Sequence, residues 1–210
     1  VNLTASLVRN KQGEPRYFIA IIDDISEKKH AEDKLQYQAT HDPLTGLLRR
    51  QTLDEALEHE LQRAKRYGRN CSVIMLDIDH FKKVNDSYGH VVGDKVLEQL
   101  GADLLLALRD IDIAGRFGGE EFLLVLPESN AVQALGTAER IRHRIEALLV
   151  KSGRDTIRIT VSLGVATFPD DAETADNLIE LADQAMYHAK QTGRNRSVHA
   201  KDRKQSNISE

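Results

Sequence analysis

The chain has 210 residues, 40% of them hydrophobic and 30% charged, with a net charge of -4. That length is enough to bury a core, and the composition is that of an ordinary globular protein. The slight acidity excludes a general electrostatic pull on nucleic acid or anionic lipid, so any nucleotide must be held at a local site.

Leu3, Ala5 and Leu7 alternate with Thr4 and Ser6, residues 10–15 are turn-rich, and Tyr17 to Ile22 reads as a second strand. A two-stranded hairpin is marginal alone, so residues 1–25 are expected to be the last strands of a larger sheet. The chain begins at Val1, directly in strand-like sequence, which reads as a piece of a longer polypeptide and leaves room for membrane anchoring upstream. No apolar run within the chain approaches the length of a bilayer span and no secretion signal opens it, so this piece is expected to make no membrane contact. Ser26 can cap a helix running to Thr40. Its seam of Ile25, Leu35 and Ala39 is interrupted by Lys28 and Glu32, so it reads equally as a solvated helix and as a dimerising one.

Further on, helices are expected at Arg50–Tyr67, Gly93–Leu108, Ala131–Val150 and Ala175–Gln191, and strands at Ser72–Ile78, Ile111–Phe117, Glu121–Leu126 and Thr156–Thr167. This is a split βαββαβ order. It implies an α+β fold with a ferredoxin-like, palm-type core and extra helices, the helices packed on one face of a mainly antiparallel central sheet. Gly118 and Gly119 mark a tight hairpin between the middle strands. The polar tail from His199 to Glu210 is expected to be disordered. Cys71 is the single cysteine, which excludes an internal disulfide and fits a reducing cytoplasm.

The chemistry gathers at two places. An apolar strand ends in Asp77, Ile78 and Asp79, and the double glycine is followed at once by Glu120 and Glu121. In this fold the hairpin's second strand lies beside the first, so three or four carboxylates are expected to converge. Carboxylates so close repel one another unless a cation intervenes, and hard oxygen ligands favour Mg²⁺ or Mn²⁺. By spacing alone, the same acids also read as an unrelated surface turn.

Arg116-Phe117-Gly118-Gly119-Glu120-Glu121-Phe122 resembles the signature of the GGDEF family of diguanylate cyclases. Other family segments follow the family's order: Asp42-Pro43-Leu44-Thr45-Gly46-Leu47, Asp77-Ile78-Asp79-His80-Phe81-Lys82, Asn85-Asp86-Ser87-Tyr88-Gly89-His90, Gly93-Asp94 and Ser162-Leu163-Gly164-Val165-Ala166. The similarity spans about residues 40–198. Arg49 departs from the pattern, standing where the family usually has asparagine.

The resemblance implies that two GTP molecules are condensed to cyclic di-GMP in a homodimer, with Mg²⁺ or Mn²⁺ held by Asp77, the Ile78 carbonyl and Glu120. Glu121 completes the acidic set, Glu120 is the favoured proton acceptor, and Lys82 offsets phosphate charge. Lys190 and Arg194, four residues apart, would approach the phosphates from the last helix; without a partner site they read as ordinary helix-end cations. An ionised aspartate only accepts hydrogen bonds, which suits Asp94 to the paired donors on guanine's edge. Asn85 and His90 lie near the base by the same resemblance. As alternatives, Asp94 caps a helix, Asn85 fixes a turn, and His90 packs on Tyr88.

Arg109-Asp110-Ile111-Asp112 has the Arg-x-x-Asp pattern which, at its offset from Gly118, marks an inhibitory product site in this family, with Arg140 as a second cation. On its own it reads as a helix end followed by a polar turn. Residues 1–25 resemble the closing strands of a PAS sensor domain, with Asp24-Ile25-Ser26 leading into the exit helix. One domain binds one GTP and the product needs two, so a two-fold dimer is implied, with the helix at 26–40 able to set its geometry. The rival readings are a catalytically silent domain that binds cyclic di-GMP, and a cyclase for another dinucleotide. A nucleic-acid polymerase is not supported, because neither a basic groove nor stacking aromatics are evident.

Overall fold

The computed structural model describes residues 1–153 and 155–202. By contacts the chain divides into two units, Val1–Ala39 and the remainder from Thr40.

In the first unit, β1 (Asn2–Arg9) and β2 (Pro15–Asp23) form an antiparallel hairpin with Leu7 opposite Phe18 and Leu3 opposite Ile22. Its turn is held by Asn10, whose Oδ1 accepts the N–H groups of Gln12 and Glu14. Phe18 and Ile22 are 73% and 69% exposed, so the hairpin buries little apolar surface within its own unit. Helix α1 (Ser26–Thr40) begins at Ser26 itself, and the side chain serving its first N–H is Asp24 rather than Ser26, at 2.9 Å. A short carboxylate two residues upstream reaches the free helix-end donor that the serine occupies as a helix residue.

The second unit is built on a six-stranded sheet of order β10-β9-β4-β6-β5-β3. Its strands are β3 (Leu48–Arg49), β4 (Cys71–Ile78), β5 (Ile113–Gly118), β6 (Glu121–Pro127), β9 (Val161–Phe168) and β10 (Ser197–His199). The central β4 pairs antiparallel with both β6 and β9, while the edge pairs β3–β5 and β9–β10 are parallel. A separate hairpin joins β7 (Val150–Ser152) to β8 (Asp155–Ile157).

Helices cover both faces, not one. Every residue of β4 is buried, and a strand apolar on both faces needs a helical layer on each. Ile74, Leu76, Phe122 and Leu124 pack with α3 (Phe81–Tyr88), α4 (His90–Ala107) and α5 (Ala131–Glu146). Val73, Met75, Leu123 and Val125 pack with α2 (Arg50–Tyr67) and α6 (Ala175–Gln191).

Four expectations along the chain change. The helix expected from Gly93 starts at His90, and a separate α3 precedes it, divided from α4 by Gly89 at φ 84°. The helix expected to reach Val150 stops at Glu146, because Val150 enters the β7–β8 hairpin. The long strand expected at 156–167 is broken between Ile157 and Val161. The tail does not loosen at His199: that residue lies in β10, Ala200 donates its N–H to Val165, and both are buried. His199 Nε2 also stands 3.1 Å from Asp171 Oδ2. The rest of the expected tail, 203–210, lies outside the described residues.

Candidate active site

The site forms where β4 ends. Antiparallel pairing places Asp77 opposite Glu121, and the alternation that sends Met75 and Leu123 to the α2/α6 core sends Asp77 and Glu121 to that same face. Glu120 sits in the intervening turn, whose carbonyl accepts a long 3.4 Å hydrogen bond from the Ile78 N–H. A Cβ at Gly118 would come within 2.9 Å of Glu121 Oε2, so a larger residue there would displace that carboxylate.

Asp77 is only 3% exposed. Burial pushes its carboxyl up to about 6; Lys190 from α6 opposes this, and the charges of Glu120 and Glu121 reinforce it. Lys190 Nζ lies 2.8 Å from Asp77 Oδ2. Glu120 is also raised, first by burial, with Lys190 opposing and Glu121 adding to the shift. Three acids therefore feel one another at this strand end.

Asp79, counted among the converging acids from sequence, turns away. Its carboxylate accepts from Thr160 Oγ1 and Ser162 Oγ, both at 2.7 Å, and from the Asn195 N–H at 3.0 Å. Alternation alone would put Asp79 on the same side as Asp77, two residues earlier. But β4 ends at Ile78, and beyond it the chain bends Asp79 into polar company beside β9, its N–H donating to the Thr160 carbonyl at 2.9 Å.

Among the described residues, no three His, Cys, Asp or Glu side chains form a ready-made metal cage. The expected set needs two carboxylates, Asp77 and Glu120, with the Ile78 carbonyl as third donor. Those residues fit a hard divalent cation. Their donors are all oxygen, their charges repel, and a lysine ammonium already stands against the most buried of them.

On the other side of the strand end, α3 and α4 carry the expected nucleotide residues. Asn85 lies across Gly93, where any Cβ would overlap its side chain. Asp94 is exposed and is the fifth residue of α4, past its first turn and not at its cap, and no side chain caps that helix. The capping alternative for Asp94 therefore drops out. Lys82 and His90 are exposed. Arg194 is not on the last helix, which ends at Gln191; it sits in the following turn at φ 63°.

Arg109, Asp112 and Arg140 are brought together at the end of α4. Arg109 Nε is 3.5 Å from Asp112 Oδ2, which also accepts the Arg109 N–H at 2.9 Å. Arg109 Nη2 donates to Ser129 Oγ, and Arg140 donates to the Ala107 carbonyl. The Asp112 side chain is fully buried, with Oδ1 lacking a hydrogen-bond partner.

Sequence reasoning missed Arg116 as a site residue, although it opens the glycine motif. Its Nε and Nη2 donate to the Gly119 carbonyl at 3.1 and 2.8 Å, and Nη1 donates to Asp42 at 3.3 Å. Asp42 in turn accepts from Thr45, so the turn bearing Glu120 is tied to the Asp42–Thr45 loop. Its position two residues before the glycine pair was the available signal.

Residues 39–196 match the family model described as "Diguanylate cyclase, GGDEF domain". Diguanylate cyclase DgcP of Pseudomonas aeruginosa is 42% identical over 167 residues, covering 80% of this chain and 25% of that protein. Response regulator PleD of Caulobacter vibrioides is 34% identical over 194 residues, 88% of this chain and 43% of that protein. The chain thus spans well under two thirds of these relatives. Among solved structures, diguanylate cyclase SiaD with its activator SiaC, from Pseudomonas aeruginosa, has a TM-score of 0.75 at 38% identity, over 82% of this chain and 66% of that one. The GGDEF domain of DgcB from Caulobacter crescentus, in complex with c-di-GMP, has a TM-score of 0.73 at 34% identity, over 78% and 96%.

Proposed function

The chain belongs to the GGDEF family of diguanylate cyclase domains, and we propose that it condenses two GTP into cyclic di-GMP with release of two pyrophosphates, across a symmetric dimer. The observation that carries this reading is the meeting of Asp77 with the Glu120–Glu121 turn at one buried strand end, with a lysine cation against it.

In this reading Asp77, the Ile78 carbonyl and Glu120 hold Mg²⁺ or Mn²⁺. The metal's contribution is to polarise the α-phosphate and acidify the attacking 3′-hydroxyl. In each of two steps a 3′-oxygen bonds to the α-phosphorus of the facing GTP, the bond to the β-phosphate bridge breaks, and pyrophosphate leaves. Glu120 accepts the hydroxyl proton, for which its raised proton affinity suits it. Asp94 accepts from the two guanine donors and Asn85 reads the rest of the base, with His90 beside it. Lys82, Lys190 and Arg194 offset charge on the triphosphate and leaving pyrophosphate.

Arg109, Asp112 and Arg140 form the inhibitory product site in the same reading, and the unpartnered Asp112 oxygen supports it. Residues 1–25 are read as the end of a PAS-like sensor and 26–40 as the helix that sets dimer geometry, supported by the Asp24-Ile25-Ser26 junction and the Asp24 hydrogen bond there. A silent cyclic di-GMP effector is less well supported, because Asp77, Glu120 and Glu121 are all present.

The test is incubation with GTP and Mg²⁺ at protein concentrations that populate dimers, with product analysis. Cyclic di-GMP and pyrophosphate are expected in a 1:2 ratio, two GTP supplying two leaving groups. Bound but unreacted GTP overturns the assignment.

A further inference from the structure

Beyond α6 the backbone takes a conformation that needs firm anchoring. Gly193, Arg194 and Asn195 have φ values of 127°, 63° and 45° in succession. The left-handed region disfavours L-residues other than glycine, asparagine less than most. Two such residues in a row persist only where their surroundings over-determine them.

Asn195 supplies the anchoring through all of its hydrogen-bonding ends but one. Its N–H donates to Asp79 Oδ2 at 3.0 Å, its Oδ1 accepts from Arg142 Nη1 at 2.9 Å, and its Nδ2 donates to Glu146 Oε1 at 2.7 Å. The partners are themselves fixed. Asp79 is buried and held by Thr160 and Ser162, while Arg142 is buried on α5 with Glu139 and Glu146 on either side. Arg194 contrasts with this. Its N–H closes the helix end on Ala189, but its exposed guanidinium has no partner among the described residues.

We propose that Asn195 is a positioning residue for the triphosphate of GTP, fastening the turn after α6 so that the Arg194 guanidinium is presented at the strand end bearing Asp77. The inference rests on the reading of Arg194 as a phosphate contact. Lys190 needs no such device, because it sits on the helix and already reaches Asp77. Arg194 lies beyond the helix, where a free turn would scatter a long side chain over many positions. Asp79 closes the link, since the carboxylate that holds Asn195 lies two residues beyond Asp77 on the same exit.

The experiment is equilibrium binding of α,β-methylene-GTP and of GMP, each with Mg²⁺, to the full chain. Arg194→Ala is expected to weaken the triphosphate analogue about tenfold and to leave GMP unchanged. Asn195→Ala and Asn195→Gly should reproduce that loss on the triphosphate alone; glycine keeps the left-handed backbone open while deleting the amide. The double variant Arg194→Ala/Asn195→Gly should lose no more than Arg194→Ala, as expected when one residue acts through another. In turnover, kcat/KM for GTP should fall in the Asn195 variants by about the factor seen for Arg194→Ala. Equal weakening of GMP, additive losses in the double variant, or unchanged binding by the Asn195 variants overturns the proposal. The binding measurements need no catalysis, so a chain that discriminates as expected yet forms no cyclic di-GMP removes the cyclase reading and not this one.

Discussion

The Lys190 ammonium lies 2.8 Å from Asp77 Oδ2 at the buried end of β4, so a residue expected to serve phosphate is, in the protein alone, the counter-ion of the acid expected to hold metal. Its pull does not fully compensate the acid. The Asp77 carboxyl still stands at about 6, because burial and two neighbouring glutamates outweigh one lysine.

That imbalance ties stability to pH. A carboxyl whose folded value is raised from 3.8 to about 6 stabilises the fold when protonated, and the contribution fades as pH rises through that interval. Asp77→Asn mimics the protonated form, so without metal at pH 7.5 it should be more stable than the parent by on the order of 2 kcal/mol. The gap should close near pH 4. Melting curves in chelator at both pH values check this, while turnover should fall at least about a thousandfold if the metal is lost.

Protons and metal compete for the same oxygens. Mn²⁺ binding followed by spectroscopy or calorimetry should weaken as pH falls from 7.5 to 5, through the raised Asp77 value. Affinity flat across that range contradicts Asp77 as a ligand.

Arg116 should matter for rate more than for binding. It holds the Gly119 carbonyl with two donors and Asp42 with a third, and the next residue is Glu120. Arg116→Ala is expected to lower kcat by about 10–100-fold while the affinity for a GTP analogue changes little. Arg116→Lys should rescue poorly, since a single ammonium cannot reproduce the planar fork. A lysine variant with full kcat argues against this tie.

Cys71 should be inert in the folded chain. It is buried, and burial with the charge of Glu60 pushes its thiol up to about 12. A thiol reagent at pH 8 should label it only on unfolding, and rapid labelling of the native protein would show an open core at β4.

Regular elements were largely legible from pattern. The helices at Arg50–Tyr67 and Ala175–Gln191 have the bounds read from apolar periodicity and end signals, because a long amphipathic run averages over many residues. The strands β3 and β10 were missed, since two or three residues carry no alternation and both depend on neighbours far along the chain. The short α3 was missed as well: eight residues split from α4 by one glycine give periodicity little to work on.

What the sequence determined alone was local or motif-borne: the helical and extended runs, the double-glycine hairpin, and the set of acids, amides and cations resembling a GGDEF site. Tertiary structure decided which of those groups meet. It placed helices on both sheet faces, set Lys190 against Asp77, gave Asp79 to Asn195 and β9 instead of to the acidic cluster, and moved Arg194 off its helix into an anchored turn. The physical reason is register. A strand's pattern says which residues share a face, but which residue of another strand or helix stands opposite is fixed only when distant segments pair and pack.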